Sequence, residues 1–212
     1  NAPLFAAVES DIVGYTTITT NPGFNMQGVV FQGLEGEAEV SFNDLLIGEF
    51  RDGDQIQVYV QDGSMGTYDV YTFLDGRGWT IGRGSSADDS PVHVGTAFWL
   101  NTPNREVKVT IKGSVTRGDW VYLAKKGTQM LASALPVEIP LNPKDSSVVW
   151  TGFHDGDQIQ WLNELGGYDT SSYKDGQWTS GRGAISTKVI PVGSSVWLIA
   201  GEAGATLKVK NP

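Results

Sequence analysis

The feature that most constrains this chain is a hexapeptide that occurs twice. The sequence DGDQIQ at residues 52–57 returns letter for letter at residues 155–160. Weaker matches follow in the same order over residues 52–100 and 155–198. The spacing between matched positions drifts by a few residues, as short deletions in surface loops would cause. The chain is therefore predicted to be a tandem duplication.

The matches define the limits of two units. They include Tyr68-Asp69 with Tyr168-Asp169, Asp75-Gly76 with Asp175-Gly176, Trp79 with Trp178, and Trp99-Leu100 with Trp197-Leu198. We predict an apolar N-terminal arm at 1–10, a first unit at 11–114 and a second unit at 115–212. Each unit has roughly 100 residues, which is the commonest domain size and is enough to bury a core.

The hydrophobic pattern predicts strands. Residues 55–60 and 107–112 alternate polar with β-branched or aromatic side chains, which is typical of half-buried strands. Gly-containing turns separate such runs at short intervals. We therefore predict an all-β protein of two packed β-sandwich or β-barrel units with little helix. A short helical turn at 43–47, capped by Asn43, is the main expected exception.

Composition excludes several classes of function. The chain has no cysteine, so thiol catalysis and cysteine metal sites are absent. The net charge is −9, and residues 1–114 carry all of it with 15 acidic against 6 basic side chains. Without a basic stripe, nucleic-acid binding is not expected, and no apolar run is long enough to insert into a membrane. The start at Asn1 indicates either that a signal segment was removed or that the chain was trimmed, and we expect a secreted, extracellular or cell-surface protein.

The N-terminal arm has no counterpart before the second unit. Leu4, Phe5 and Val8 are large apolar side chains, and burying each contributes roughly 1.5–3 kcal/mol. They are expected to dock on their own molecule or on a neighbouring molecule.

The repeated Asp-Gly-Asp segments are candidate calcium sites. Their carboxylates belong to Asp52, Asp54, Asp155 and Asp157. Calcium needs six to eight oxygen ligands, but Ile56 and Ile159 occupy the position where an EF-hand loop would place its third ligand. A turn that begins the next strand is the stronger interpretation, so we expect no cofactor, with calcium as a minor alternative.

Tryptophan and arginine provide further candidates. The tryptophans repeated in both units are predicted to lie in the core. The unmatched Trp150 and Trp161 are candidates for an exposed platform that stacks on sugar rings. Arg83 and Arg182, each between glycines, are expected to stack on a nearby indole, to pair with a nearby aspartate, or to form a surface loop for acidic sugars. No spacing of carboxylates or of the two histidines forms a catalytic constellation, so enzyme activity is not expected.

Parts of the sequence resemble an uncharacterised family of secreted bacterial proteins built from this unit. The resemblance is carried by residues 9–17, 21–26, 54–57, 76–79 and 95–99. It covers most of the first unit and the second half of the second unit. It implies export and a β-rich fold but no activity or catalytic residues. The second unit departs from the pattern at its opening, Asp119 to Tyr122.

Two functions follow as hypotheses. The first is a secreted structural protein that associates with itself, as a subunit of an extracellular filament or surface layer in which the arm docks on a neighbour. Contacts between different surfaces of identical subunits generate filaments when they do not close. The alternative is a carbohydrate-binding module that uses exposed tryptophans and Asp/Gly-rich loops to hold an extracellular polysaccharide.

Overall fold

A computed structural model describes residues 13–34, 40–62 and 65–211 of the chain. The described residues form 20 strands, one four-residue α-helix and short 3₁₀ turns, so the predicted all-β class is confirmed. The first eleven elements are β1 Val13–Thr20, β2 Gly23–Gly28, α1 Phe42–Leu45, β3 Leu46–Gly48, β4 Gln55–Asp62, β5 Met65–Leu74, β6 Gly78–Ile81, β7 Ser85–Ser86, a 3₁₀ turn Ala87–Asp89, β8 Ala97–Thr102 and β9 Val107–Ser114. The remaining strands are β10 Trp120–Leu123, β11 Gly127–Ala132, β12 Ile139–Pro140, β13 Val148–Thr151, β14 Gln158–Leu162, β15 Tyr168–Lys174, β16 Gln177–Ser180, β17 Ala184–Ile185, β18 Val189–Ile190, β19 Ser195–Ala200 and β20 Thr206–Val209.

The two halves of the chain have the same strand order. The first half, 13–114, has a six-stranded sheet in the order β2-β8-β4-β5-β6-β7 and a three-stranded sheet in the order β1-β9-β3. The second half, 115–211, has the orders β11-β19-β14-β15-β16-β17 and β10-β20-β13, and it adds a two-stranded sheet of β12 and β18 where the first half has an isolated bridge between Val40 and Val92. Every strand pair is antiparallel. This correspondence supports the predicted duplication, while the boundary between residues 114 and 115 stays a prediction.

Each half buries its own core between its two sheets. In the first half, Ile56 and Leu100 of the larger sheet share a core with Ile111 of the smaller one. Ile159, Leu198 and Val209 occupy the corresponding core of the second half. Tryptophan anchors both cores. Trp79 packs against Phe50 and Phe73, and the fully buried Trp178 packs against Phe153 and Tyr173.

In each half, an asparagine at the matching position forms a hydrogen bond with the backbone of this buried tryptophan. The Asn43 Oδ1 atom accepts a hydrogen bond from the Trp79 backbone N–H at 2.7 Å, and Asn142 Oδ1 accepts one from Trp178 N–H at 3.0 Å. The predicted capping role of Asn43 is wrong. Ser41 caps the helix instead, because its side chain accepts from the Asp44 N–H and leaves Asn43 to bond across to Trp79.

The larger sheets of the two halves pack against each other through their outer faces. Side chains alternate along a strand, so Phe98 and Leu100 of β8 enter the first core while Trp99 points the other way. A third buried cluster forms there from both halves, and its members are Met26, Ala97, Trp99, Met130, Ala132 and Trp197. Strands β8 and β19 are therefore buried on both faces.

The halves approach most closely at Gly28. Its N–H donates to the Gly193 carbonyl at 2.8 Å, and its neighbour Gln27 forms an antiparallel bridge with Ser194. A Cβ built at Gly28 would lie 2.3 Å from the Cβ of Ala132, the residue at the matching position of the second half. Glycine is thus required at one of these two positions for the strands to meet.

We expect Gly28→Ala to destabilise the protein by about 1–3 kcal/mol, because two methyl groups would overlap between the sheets. The double variant Gly28→Ala with Ala132→Gly exchanges the methyl group across the interface and is expected to recover most of that loss. The single variant Ala132→Gly is the control for glycine entropy, with an expected cost of about 1 kcal/mol. Denaturant unfolding of all four proteins measures the coupling. If Gly28→Ala and the double variant with Ala132→Gly were equally stable, the close contact between these two positions would be contradicted.

Candidate functional site

The outer aspartates of the repeated hexapeptides act within turns. The carboxylate of Asp52 accepts a hydrogen bond from the Asp75 N–H, and that of Asp155 accepts one from the Asp175 N–H at 2.9 Å. The glycine that follows each of them has a positive φ, 87° at Gly53 and 99° at Gly156, which favours glycine at that point. Each aspartate thus links the segment that begins one strand of a hairpin to the turn that follows the neighbouring strand.

The inner aspartates are buried and bonded to protein donors. Asp54 is 2% exposed and accepts from the Arg51 N–H at 2.9 Å and from the guanidinium of Arg105. Asp157 is 3% exposed and accepts from backbone N–H groups of His154 and Gly201 at 2.9 and 2.8 Å. In the second half, the backbone N–H of Gly201 therefore takes the place that the Arg105 guanidinium has in the first half.

The four candidate calcium ligands are therefore all bonded to protein N–H donors, which supports their interpretation as turns. Within residues 13–34, 40–62 and 65–211, no three His, Asp or Glu side chains come together in a group that could hold a metal ion.

The predicted assembly arm lies outside the described residues, whereas both tryptophans of the predicted glycan platform lie within them. Leu4, Phe5 and Val8 lie outside the described residues. Trp150 is half-buried against Phe153 and Trp178, and its indole N–H donates to the Pro140 carbonyl at 3.1 Å.

Trp150 and Trp161 are both half-buried and pack against the second core, and Trp161 also lines a cleft between the halves. Arg83 and Arg182 are exposed in turns of the larger sheets, and neither forms the predicted stack on an indole.

The cleft has a volume of about 1050 Å³ and is open to solvent. Both halves line it, and its lining includes Asn21, Pro22, Phe24, Asn25, Met26, Gln27, Gln57, Tyr68 and Trp99 from the first half. From the second half it includes Trp161, Leu162, Asn163, Glu164, Gly166, Tyr168, Pro191, Ser194, Ser195 and Trp197. Aromatic and amide side chains predominate.

Aromatic rings form the floor and walls of the cleft. The buried indoles of Trp99 and Trp197 lie 6.3 Å apart, centroid to centroid, where the two sheets meet. Each has a tyrosine beside it: the Trp197 N–H donates to the Tyr168 hydroxyl at 3.3 Å, and Tyr68 lies beside Trp99. Burial raises the pKa of Tyr68, so its hydroxyl stays protonated at neutral pH. Phe24, Tyr68 and Tyr168 are 40–48% exposed and present ring surface to the cleft.

The cleft exists because corresponding hairpins of the two halves differ. In the first half, the long hairpin of β4 and β5 reaches the second half, where Gln61 Nε2 donates to the Lys126 carbonyl at 2.7 Å. Tyr59 of that hairpin packs on Trp197 with centroids 5.1 Å apart. The matching hairpin of β14 and β15 is shorter. Its loop is closed on itself by Asn163, whose Oδ1 accepts from the Leu165 and Gly167 N–H groups, and the cleft separates it from Asn21 and Pro22.

Trp161 is held at the cleft by charged neighbours. The Lys188 Nζ atom lies 4.7 Å from the centroid of its ring and 2.7 Å from Asp169 Oδ2. Asp169 also accepts from Asn163 Nδ2 at 3.2 Å, which links the ion pair to the hairpin loop. Hydrogen bonds from Lys188 and Asn163 lower the pKa of Asp169, so the pair stays charged at neutral pH.

Three buried polar atoms of the lining have no hydrogen-bond partner among the described residues. They are Gln27 Oε1, Trp161 Nε1 and Ser195 Oγ. These atoms are shielded from solvent, and five others of the same kind belong to described residues outside the lining, so they do not by themselves mark a binding site.

The sequence contained a signal for this site that the repeat pattern obscured. Phe98-Trp99-Leu100 and Val196-Trp197-Leu198 are runs of three large apolar residues within strands. A strand with one solvated face would alternate, so such runs predict burial on both faces. We predicted that the repeated tryptophans are core residues. All four are buried: Trp79 and Trp178 lie in the cores of the two halves, and Trp99 and Trp197 lie in the third buried cluster, where the halves meet.

Comparison with known protein families, with characterised proteins and with solved structures finds no match. The resemblance to secreted bacterial proteins therefore stays a prediction. The described part of the chain contains no helix that is long and apolar enough to cross a membrane.

The ion pair of Asp54 and Arg105 provides a test of the turn interpretation. Arg105→Ala would leave a buried carboxylate with a single N–H donor, and we expect a loss of about 3 kcal/mol in the free energy of unfolding. Arg83→Ala removes an exposed arginine from the same half and is expected to change stability by less than about 0.5 kcal/mol. Denaturant unfolding compares the two variants, and similar losses would contradict a structural role for Asp54.

Proposed function

We propose that this protein binds carbohydrate in the cleft between its halves. The observation that carries the proposal is the combination of exposed aromatic rings with polar amide side chains in the lining of one cleft. Binding sites for small molecules typically combine an apolar, aromatic lining with a few placed polar groups. A sugar ring matches this combination because its faces carry C–H groups and its edge carries hydroxyls.

The size of the cleft suits an oligosaccharide. Sites for small molecules usually measure roughly 300–1,000 Å³, and this cleft lies at the upper end of that range. Several aromatic side chains lie along it, including Phe24 and Tyr68 on one side and Trp161 and Tyr168 on the other. We propose that more than one sugar ring binds, with the rings stacked on these aromatic surfaces.

The residues that line the cleft support binding of carbohydrate without cleavage. Glycoside hydrolysis commonly uses two carboxyl groups on either side of the scissile bond. Among the described residues that line the cleft, Glu164 is the only one with a carboxyl group. The protein is accordingly proposed to hold extracellular polysaccharide as a secreted binding module.

Tyr168→Ala tests the proposal. Loss of a half-exposed stacking surface is expected to weaken oligosaccharide binding about fivefold to tenfold, equivalent to roughly 1–1.4 kcal/mol. Tyr15→Ala is the matched control, because Tyr15 is 76% exposed on a different sheet and does not line the cleft. A glycan array identifies a ligand, and titration calorimetry then measures both variants. Equal weakening by both, or no glycan bound at all, would contradict the proposal.

Self-association is a second candidate function, and the outer faces of the smaller sheets favour it. Large apolar side chains are exposed on the outer face of each of these two sheets. They are Val13, Tyr15 and Ile47 in the first half, and Val121, Leu123 and Val149 in the second. They lie on β1, β3, β10 and β13, which are edge strands of those sheets. Exposed apolar edge strands are common sites for pairing with another chain. A filament or surface layer built from such contacts is the structural role proposed from the sequence.

Replacing Val13 and Tyr15 by serine is expected to reduce self-association, because it removes the apolar surface from β1. Deleting residues 1–8 tests the N-terminal arm separately. Sedimentation velocity over a range of concentrations and negative-stain micrographs measure both effects, and Tyr168→Ala is the control that should leave assembly unchanged. An intact protein that stays monomeric at high concentration would contradict this candidate function, and unchanged assembly after the deletion would exclude the arm from it.

A further inference from the structure

We infer, on the basis of the proposed function, that the cleft selects uncharged polysaccharides over acidic ones. The first observation is the charge of the lining. Its described residues include no lysine, arginine or histidine, and Glu164 is their only charged member. Sites that recognise carboxylate or sulfate groups use arginine or lysine, whose charged hydrogen bonds are about twice as strong as neutral ones. An acidic sugar would meet a carboxylate in this cleft and no cation.

A cation next to the lining, Lys188, is paired with a carboxylate. Lys188 lies over the ring of Trp161 at 4.7 Å and pairs with Asp169 at 2.7 Å. Its charge is balanced by Asp169, so the pair adds no net positive charge beside the cleft.

The net negative charge of the whole chain also disfavours binding of acidic polysaccharides. The net charge is −9, and the first half carries the excess. Such a field repels polyanions and slows their approach, although salt screens the effect over about 10 Å at 0.1 M ionic strength. Selection against acidic chains is therefore expected to be strongest at low salt.

The experiment compares binding of uncharged and acidic hexasaccharides by titration calorimetry. The uncharged set contains β-linked glucose, xylose and mannose hexamers, and the acidic set contains guluronate and galacturonate hexamers. The intact protein is expected to bind at least one uncharged hexamer at least tenfold more tightly than either acidic one. Glu164→Lys is expected to improve binding of the acidic hexamers roughly fivefold at low salt, with the gain falling as salt rises.

Glu202→Lys is the matched control, because it makes the same charge change on an exposed glutamate outside the cleft lining. Acidic hexamers that bind the intact protein as tightly as uncharged ones would overturn the inference and leave carbohydrate binding in place. The same would follow if Glu202→Lys gave as large a gain as Glu164→Lys. Failure of every hexamer to bind would overturn the proposed function itself.

Discussion

Burial of strands β8 and β19 on both faces is the constraint on which the rest of the structure depends. Each strand sends alternate side chains into its own core and the others into the contact between the halves, where Trp99 and Trp197 meet. An aromatic side chain buries roughly 150–250 Å², which corresponds to an upper bound of roughly 4–6 kcal/mol for each indole. That contact holds the larger sheets together and also forms the floor of the cleft.

Repeated and unrepeated residues have different roles in this arrangement. Residues shared by both halves mainly build the fold: Asp54 and Asp157 accept hydrogen bonds within turns, and Asn43 and Asn142 hold a core tryptophan. The cleft arises where the halves differ. A long hairpin closes one side of the contact through Gln61, while the shorter one stops at the loop held by Asn163. Two nearly equivalent halves can thus enclose a single site.

The sequence predicted the fold class better than it predicted the site. Alternating strands, glycine turns and the repeat indicated an all-β protein, since those signals are local along the chain. Trp161 was also identified as a candidate from its lack of a counterpart, and it lines the cleft. Trp150 was identified by the same reasoning but does not line the cleft, although both indoles pack against the second core, because the absence of a partner in the repeat does not report which face of a strand a residue occupies.

The sequence by itself determined the duplicated strand pattern, the turns at the two hexapeptides and the acidic character of the first half. Each depends on residues close together in the chain or on composition. The three-dimensional packing alone shows which outer faces meet, that Gly28 and Ala132 share one space, and that Gln27, Trp161 and Ser195 line the same cleft. These residues are far apart in sequence, and packing of one sheet on another brings them together.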